Sequence, residues 1–418
     1  MFKNHDGLIN QIRDRFAHVE TCPEQGRRIF FENAGGALTL KSVVEKSAEM
    51  AAIPDNQGRD NDMSRELVRI INQAKADTHA FLGASSGQVF VGESGTELLF
   101  RLISAAILGA PEGGEVLGST LEHPASVSAC ERWAKIANRS FLRVPHNDQT
   151  GTVTADDYRP YVTADTRVAT ILHTSPVTGM AVDVASISKL IRSISPDCLI
   201  IVDGIQHAAH GGLDIDSYGI DGYVISPYKV FSRHGYGIAW VSGRMGLLPH
   251  DRLIGSPDDN WELGTRDTGS YATFSEVVNY FDWLGSHFTE SEDRRERIKA
   301  AGVAIHNHEK DLTDAMLYGV DGQSGLASMS KVGVIGGIDN PQREGLVAIT
   351  VENKTAEEVV SALREQGIRT HARKPDHYSG NILLPLGLDG CVRVSLCHYN
   401  TEHEVAEFLR AIKTIADS

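Results

Sequence analysis

The 418-residue sequence contains no apolar run approaching the roughly 18 residues that a membrane-spanning helix needs, so no membrane partner is expected. Cysteine is scarce: Cys22, Cys130, Cys198, Cys391 and Cys397 are widely scattered, with no CxxC pair and no Cys/His cluster at zinc-binding spacing. Their number is odd, and that pattern argues against a disulfide framework and against a bound structural metal. Positive charge is in deficit. With 40 Lys+Arg against 55 Asp+Glu the formal net charge is −15, the wrong sign for a protein that grips a nucleic-acid backbone. Internal repeats and low-complexity tracts are also missing, and only the polar stretch 54–64 reads as a mobile loop. What is present is the composition of a compact globular protein, 41% hydrophobic and 23% charged, long enough for two or three domains. A cytoplasmic enzyme or small-molecule-binding protein is the expectation.

Between about residues 85 and 245, short apolar runs alternate with segments of helical period. The runs are QVFV (88–91), EVL (115–117), SFLRV (140–144), RVATIL (167–172), CLIIV (198–202), GYVIS (222–226) and GIAWV (237–241). Continuous apolar strands separated by helices predict a mainly parallel sheet covered on both faces. GIAWV follows GYVIS too closely for a helical crossover, which makes it antiparallel. Beyond Tyr271 a long helical stretch leads to strand-like GLVAITV and CVRVSL, with helices near 355–366 and 402–416. The start of the chain, MFKNHDGLINQIRDRF, reads as an amphipathic helix.

In such a sheet ligands collect beyond the carboxyl ends of the strands. After QVFV come Ser94, Gly95 and Thr96, opening a helix whose first N–H groups are free for a phosphate or, equally, an ordinary N-cap. Glu122-His123-Pro124 opens another helix, where His123 either stacks on an aromatic ligand or merely starts the helix. Asp203 ends an apolar strand. A desolvated carboxylate there calls for a protonated ligand nitrogen, unless it only caps the next turn. Lys229 follows the next apolar run in Ser226-Pro227-Tyr228-Lys229, where a partly buried amine loses its proton readily and can form a Schiff base; a snorkelling surface lysine is the plainer alternative. Taken together, these groups are the set that pyridoxal 5′-phosphate requires.

At this point the sequence resembles the class V aminotransferase and cysteine desulfurase-like family of fold type I pyridoxal-phosphate enzymes. Seven segments in register carry the resemblance: Phe30 to Gly36, Ser94 to Glu97, Glu122-His123, Val202 to Gln206, Lys229, Glu262 to Thr265, and Val392 to Ser395 followed by His398 to Thr401. It implies an α/β fold with a large domain holding a mainly parallel seven-stranded sheet between helices, plus a small C-terminal α+β domain. The implied division is 1–30 as a helical segment packing with the small domain, 31–290 as the cofactor-binding domain and 291–418 as the small domain. By the resemblance, Lys229 holds the cofactor aldehyde and shuttles the α-proton, Asp203 keeps the ring nitrogen protonated, Gln206 bonds the ring hydroxyl and His123 stacks on the ring. Ser94, Gly95, Thr96, Ser226 and Tyr228 complete the cofactor site. Gly264 and Thr265 reach into the partner's site of a homodimer with shared active sites. Asn33 and Arg393 bind an amino acid substrate, Arg393 through its carboxylate.

Departures from the family pattern narrow the chemistry. In His173-Thr174-Ser175-Pro176 the usual Asn is missing, and Tyr228 stands where a His commonly precedes the lysine. The loop 369–380, which carries a nucleophilic cysteine in desulfurases, has none, and Cys391 and Cys397 read as small buried residues. The resulting expectation is a lyase acting by α,β-elimination, of carbon–sulfur lyase type, that releases an oxo acid and ammonia. His371, His377 and Tyr378 are then candidate acids for the leaving group. The alternatives are an aminotransferase passing the amino group to an oxo acid and a non-catalytic cofactor-binding regulator. Arg59, Arg65 and the basic stretch 369–374 are read as facing the site and favouring a second anionic group on the substrate.

Overall fold

The computed structural model describes Phe2 and residues 5–418; the first, third and fourth residues of the expected N-terminal helix lie outside the described residues. Each of the seven apolar runs forms a strand: β1 Gln88–Gly92, β2 Glu115–Ser119, β3 Phe141–Val144, β4 Thr166–Leu172, β5 Leu199–Asp203, β6 Gly222–Ile225 and β7 Gly237–Val241. They form one sheet in the order β1-β7-β6-β5-β4-β2-β3. β3, β2, β4, β5 and β6 pair in parallel, whereas β7 runs antiparallel to both β6 and β1. Along β5 the side chains divide between two cores: Ile200 and Val202 pack on one face with Ile171 and Ile225, Leu199 and Ile201 on the other with Leu102 and Val224. Apolar residues at every position are what a doubly covered strand demands, which is why these runs show no alternation.

Helix Gly95–Gly109 follows β1 and helix Pro124–Ile136 follows β2, so both begin at the carboxyl edge of the sheet. Helices Lys41–Ala51, Asp62–Leu82 and Arg294–Tyr318 pack against helix Thr268–Gly285 in the core on the other face of the sheet, and Arg294–Tyr318 also packs against the C-terminal helix, joining the two parts of the chain. The second sheet has the order β8-β9-β11-β10, with β8 Val332–Val334, β9 Leu346–Val351, β10 His371–Arg373 and β11 Cys391–Ser395, every pair antiparallel. One of its faces buries Val347, Ile349, Val392 and Val394 against Phe408, Leu409 and Ile412 of helix Glu402–Asp417. The strand's two-residue period therefore turns Cys391 and Arg393 to the opposite face, towards the large sheet.

The N-terminal helix Leu8–Asp14 buries Leu8 and Ile12, and Phe16 stacks edge-on against Phe231 and Tyr280. Its apolar side therefore joins the core beneath the large sheet, while Arg13 reaches the Tyr399 carbonyl at 2.7 Å and the Glu404 carboxylate at 3.1 Å. No described helix is long and apolar enough to cross a membrane.

Candidate active site

The carboxyl ends of β1, β2, β5 and β6 converge on a cavity lined by Ser94, Gly95, Thr96, His123, Pro176, Asp203, Ile205, Gln206, Ser226, Tyr228 and Lys229. Ser94 caps its helix by accepting the Glu97 N–H at 3.1 Å, which leaves the first amides of that helix aimed at the cavity edge. Glycine is required behind it: a Cβ on Gly95 would lie 2.4 Å from Ser226 Oγ, and one on Gly237 would lie 2.6 Å from the Gly95 nitrogen. The helix start, the β6 end and the β7 start are thus pressed together into a cradle of amide and hydroxyl donors, the donor set a phosphate takes.

Asp203 is 3% exposed at the end of β5, where its Oδ1 accepts the Ile205 N–H at 3.1 Å. Burial raises its pKa to about 6, opposed by that N–H and by the Lys229 charge. The chain turns away at Gly204, where a Cβ would lie 2.1 Å from the Tyr223 ring. Lys229 lies in the turn Pro227–Lys229 and donates from Nζ to Gln206 Oε1 at 2.9 Å. Burial, then the charge of Arg393, lowers its amine to about 7, with Asp203 resisting and Arg373 adding to the shift. Two residues on, Phe231 has a φ of 64°, unusual for a bulky side chain, and is held there by contacts with Phe16, Phe281 and His398.

His123 caps its helix, with Nδ1 accepting the Ala125 N–H at 3.2 Å, so the proton of the neutral ring sits on Nε2. Burial, with Lys229, Arg373 and His377 adding to it, lowers its pKa to about 4, and the ring is neutral at physiological pH. A desolvated carboxylate, a readily deprotonated amine, a neutral imidazole and a phosphate cradle in one cavity fit the ring nitrogen, aldehyde, ring face and phosphate of pyridoxal 5′-phosphate. The residues present match the cofactor that the sequence motifs imply.

From the small sheet comes Arg393, 4% exposed, whose Nη1 donates to the Pro176 carbonyl at 3.0 Å. Where the family pattern has an asparagine side chain, this chain therefore offers Arg393 a backbone oxygen. Arg373, cross-strand from Cys391, shares the face of Arg393 and donates from Nε to Ser379 Oγ at 2.7 Å. The Tyr378 ring stands 5.8 Å from His123 at the mouth and is 44% exposed. Tyr228 stacks on His234 at 4.4 Å, with its ring on the cavity wall.

Other expectations need correction. Asn33 does not line the cavity: its Nδ2 donates to the Ser395 carbonyl at 2.8 Å and its Oδ1 accepts from the Tyr399 hydroxyl, so it ties the turn Asn33–Gly35 to β11. His371 is turned aside by Glu32, whose carboxylate takes its Nδ1 at 3.2 Å and Arg369 at 2.8 Å. Gly264 and Thr265 need no correction: the resemblance assigns them to a partner's site, and they are exposed and lie outside this chain's own cavity. Arg65 is held by Asp60 and Asp62 at the start of its helix instead of facing the site.

Sequence reasoning missed a buried layer behind the cavity. The Gln206 amide meets His210 Nε2 at 3.2 Å, and His210 Nδ1 meets Glu309 at 2.7 Å. Burial works against a charged His210, but Glu309 overrides it and raises the pKa. The sulfur of Cys397 lies within 4.8 Å of the same ligand atoms. Beside it His173 stacks on His207 at 3.5 Å, and Glu344 accepts from His207 at 2.8 Å. Glu122, adjacent to His123, accepts the Leu172 N–H and the Ser119 hydroxyl at 3.0 Å each through Oε1, while its Oε2 is buried without a partner. Burial raises this acid to about 8, so it is protonated at neutral pH. Only the proximity of Glu122 to a motif residue marked it in the sequence; His210 and Glu309 lie 99 positions apart and carried no signal.

Comparison with known proteins agrees with this geometry. The model of the aminotransferase class-V family matches residues 29–408. The chain is 26% identical over 424 residues to the aminotransferase-like protein FGM3 of Gibberella zeae, covering 97% of this chain and 98% of that protein. It is 27% identical over 406 residues to the cysteine desulfurase-like protein ustD of Aspergillus flavus, with 93% and 88% covered. Among solved structures it resembles an apo cysteine desulfurase from Thermococcus onnurineus with a TM-score of 0.79 at 19% identity, covering 93% and 95% of the two chains. With this cavity and a family match spanning most of its length, the chain belongs to the class V aminotransferases, enzymes that depend on pyridoxal phosphate.

Proposed function

We propose that the protein is a lyase that cleaves a bond at the β-carbon of an amino acid by α,β-elimination, of carbon–sulfur lyase type. When bound, pyridoxal phosphate supplies an electron sink for the bond at Cα. The observation that carries the reading is the Lys229 amine, lowered to about 7 beside Asp203 and 2.9 Å from Gln206, which suits it to take and return a proton at Cα near neutral pH. Asp203 stabilises positive charge on a ring nitrogen, His123 lines the cavity as a neutral ring, and the Arg393 guanidinium fits an α-carboxylate. The α-proton goes to Lys229, the β-substituent leaves with its bonding pair, and one water releases oxo acid and ammonia.

The thiols support elimination without a protein-bound sulfur carrier. Cys391 is 1% exposed with its pKa pushed up by burial to about 11, and buried Cys397 is pushed well above the ordinary thiol value. Arg373 and Tyr378 stand at the mouth, where a departing anion needs positive charge and a proton. A homodimer with shared sites completes the reading: Gly264 and Thr265 are exposed, and Leu253 and Ile254 earlier in the same stretch are fully or largely exposed apolar residues. The test is a visible spectrum of the purified protein with a panel of amino acids and no oxo acid. Oxo acid and ammonia should accumulate while the cofactor band persists; stoichiometric conversion that stalls until an oxo acid is added would make it an aminotransferase instead. Light scattering should show a dimer.

A further inference from the structure

Two guanidinium groups face the candidate site from the small sheet, and one substrate carboxylate neutralises only one of them. Arg393 and Arg373 lie on adjacent antiparallel strands, on the face turned towards the large sheet: His371 pairs with Arg393, and Arg373 pairs with Cys391. Among the described residues neither forms an ion pair. The recorded bonds of Arg393 and Arg373 go to the Pro176 carbonyl and the Ser379 hydroxyl. Neighbouring acids have other partners and compensate the two guanidiniums only in part. Glu32 is taken by Arg369 and His371, and Glu357 by Lys374. Asp376 uses Oδ1 to hold the N–H groups of Tyr378 and Ser379 at 2.9 and 3.2 Å, and its charge offsets that of Arg373 only in part.

Both arginines reach the reacting centre electrostatically. Arg393 and Arg373 each depress Lys229, Arg373 also depresses His123, and Arg373 acts on Arg393 itself. Arg393 has a buried Nε without a partner, and Gly35 leaves room at its tip, where a Cβ would come within 3.3 Å of Nη2. Arg373 is aimed by buried Ser379 and flanked by Tyr378, its guanidinium carbon 5.8 Å from the ring centre. Glu32 offsets the charge of Arg393, and Asp376 that of Arg373, only in part, and two like charges held together cost stability unless a ligand supplies further anions. The phosphate cradle is built by Ser94 to Thr96 and Ser226 on the large sheet.

We infer that the substrate is an amino acid with a second acidic group on its side chain, Arg393 taking the α-carboxylate and Arg373 the side-chain oxyanion. This assignment of substrate class rests on the proposal above that the site handles amino acids. The shared chemistry is a carboxylate, sulfinate or phosphoryl oxyanion a few bonds from Cα. In an elimination a phosphoryl oxyanion departs beside Arg373 as phosphate with the bonding pair, whereas a carboxylate or sulfinate stays and anchors the chain from which another substituent departs.

The experiment measures binding, not turnover, so that it stands apart from the choice of reaction. Holoenzyme retaining its visible band is titrated with aspartate and with its neutral isostere asparagine, following the spectral shift. Wild type should bind aspartate at least about tenfold more tightly, as expected for a charge-assisted bidentate contact. Arg373→Gln should bring the ratio to about one with asparagine affinity little changed, and Arg373→Lys should keep part of the preference. Cysteine sulfinate and O-phosphoserine, run alongside, show which oxyanion is preferred. Equal wild-type affinity for aspartate and asparagine, or a preference that survives Arg373→Gln, overturns the inference. If Arg373→Gln does not fold, the wild-type ratio and its retention in Arg373→Lys decide it. An aspartate preference without release of oxo acid and ammonia from any acidic amino acid would sink the lyase reading and leave the substrate class standing.

Discussion

The two sides of the site are built on different terms: residues of the large sheet line the cavity, and the small sheet stands beside it. On the large-sheet side Asp203, Lys229, His123 and the Ser94 to Thr96 cradle stand at the ends of buried parallel strands, and most have a partner that sets their protonation or aim. On the small-sheet side Arg393, Arg373 and Tyr378 come from antiparallel strands and a more exposed loop, with positive charge left unpaired. Bond-making needs pKa values moved towards neutrality, and burial in a rigid core moves them: Lys229 down to about 7, Asp203 up to about 6. Selecting a substrate needs charge that stays uncompensated until the ligand arrives. The contrast assigns chemistry to one side and choice of substrate to the other.

Substitutions on the chemical side should therefore act on kcat and the spectrum, and those on the other side on affinity. The largest effect is expected for Lys229→Ala, which should remove the visible band and lower turnover by at least about 10²–10⁴-fold with the fold intact by circular dichroism. Asp203→Asn comes next. Loss of the charge facing the ring nitrogen should cost about 10²–10³ in kcat with little change in the apparent affinity for the substrate. A change confined to KM would break the comparison.

Glu309→Gln probes how far the chemical side extends into the buried layer. Without the carboxylate that raises its pKa, His210 should titrate lower, and the Gln206 amide should lose its fixed aim towards Lys229. A loss of roughly three- to tenfold in kcat is expected, the scale of one hydrogen bond, together with a displaced pH profile of the visible band. A purely structural role would lower stability and leave that profile in place. The smallest effect on activity is expected for Glu122→Gln, and its signature is in stability. Because burial raises this acid to about 8, the stability it contributes is fully present below its unfolded value and is lost as pH rises through about 8. A glutamine keeps the acceptor for Leu172 and Ser119 without that loss. Melting temperatures of variant and wild type should agree near about pH 5 and diverge near about pH 9 in favour of the variant. Equal pH dependence would show that the acid is ionised in the folded state.

The chemical side was legible because each of its groups sits next to an apolar run or a helix start: Asp203 closes CLIIV, Lys229 follows GYVIS, and Ser94 follows QVFV across two residues. The antiparallel course of β7 could be read from the short connection before it. The other side was only half legible. Arg393 stood in a recognisable strand, yet Asn33 and His371, named beside it, proved to have partners in Ser395, Tyr399 and Glu32 that no local pattern announces. Arg59 and Arg65 looked as suitable as Arg373 by composition, and only strand pairing put Arg373 on the Arg393 face.

By itself the sequence determined the order of strands and helices, the parallel sheet and the residues at its carboxyl edge, because apolar period and helix starts are local properties of the chain. Only the tertiary structure decided that Pro176 gives its carbonyl to Arg393, that Glu309 stands behind His210 and that two guanidiniums share one face of the small sheet. Those contacts join residues 20 to 217 positions apart in the chain. Burial and charge at such distances arise from packing, so the pKa values and the unpaired charges of the site exist only once the two sheets have closed on each other.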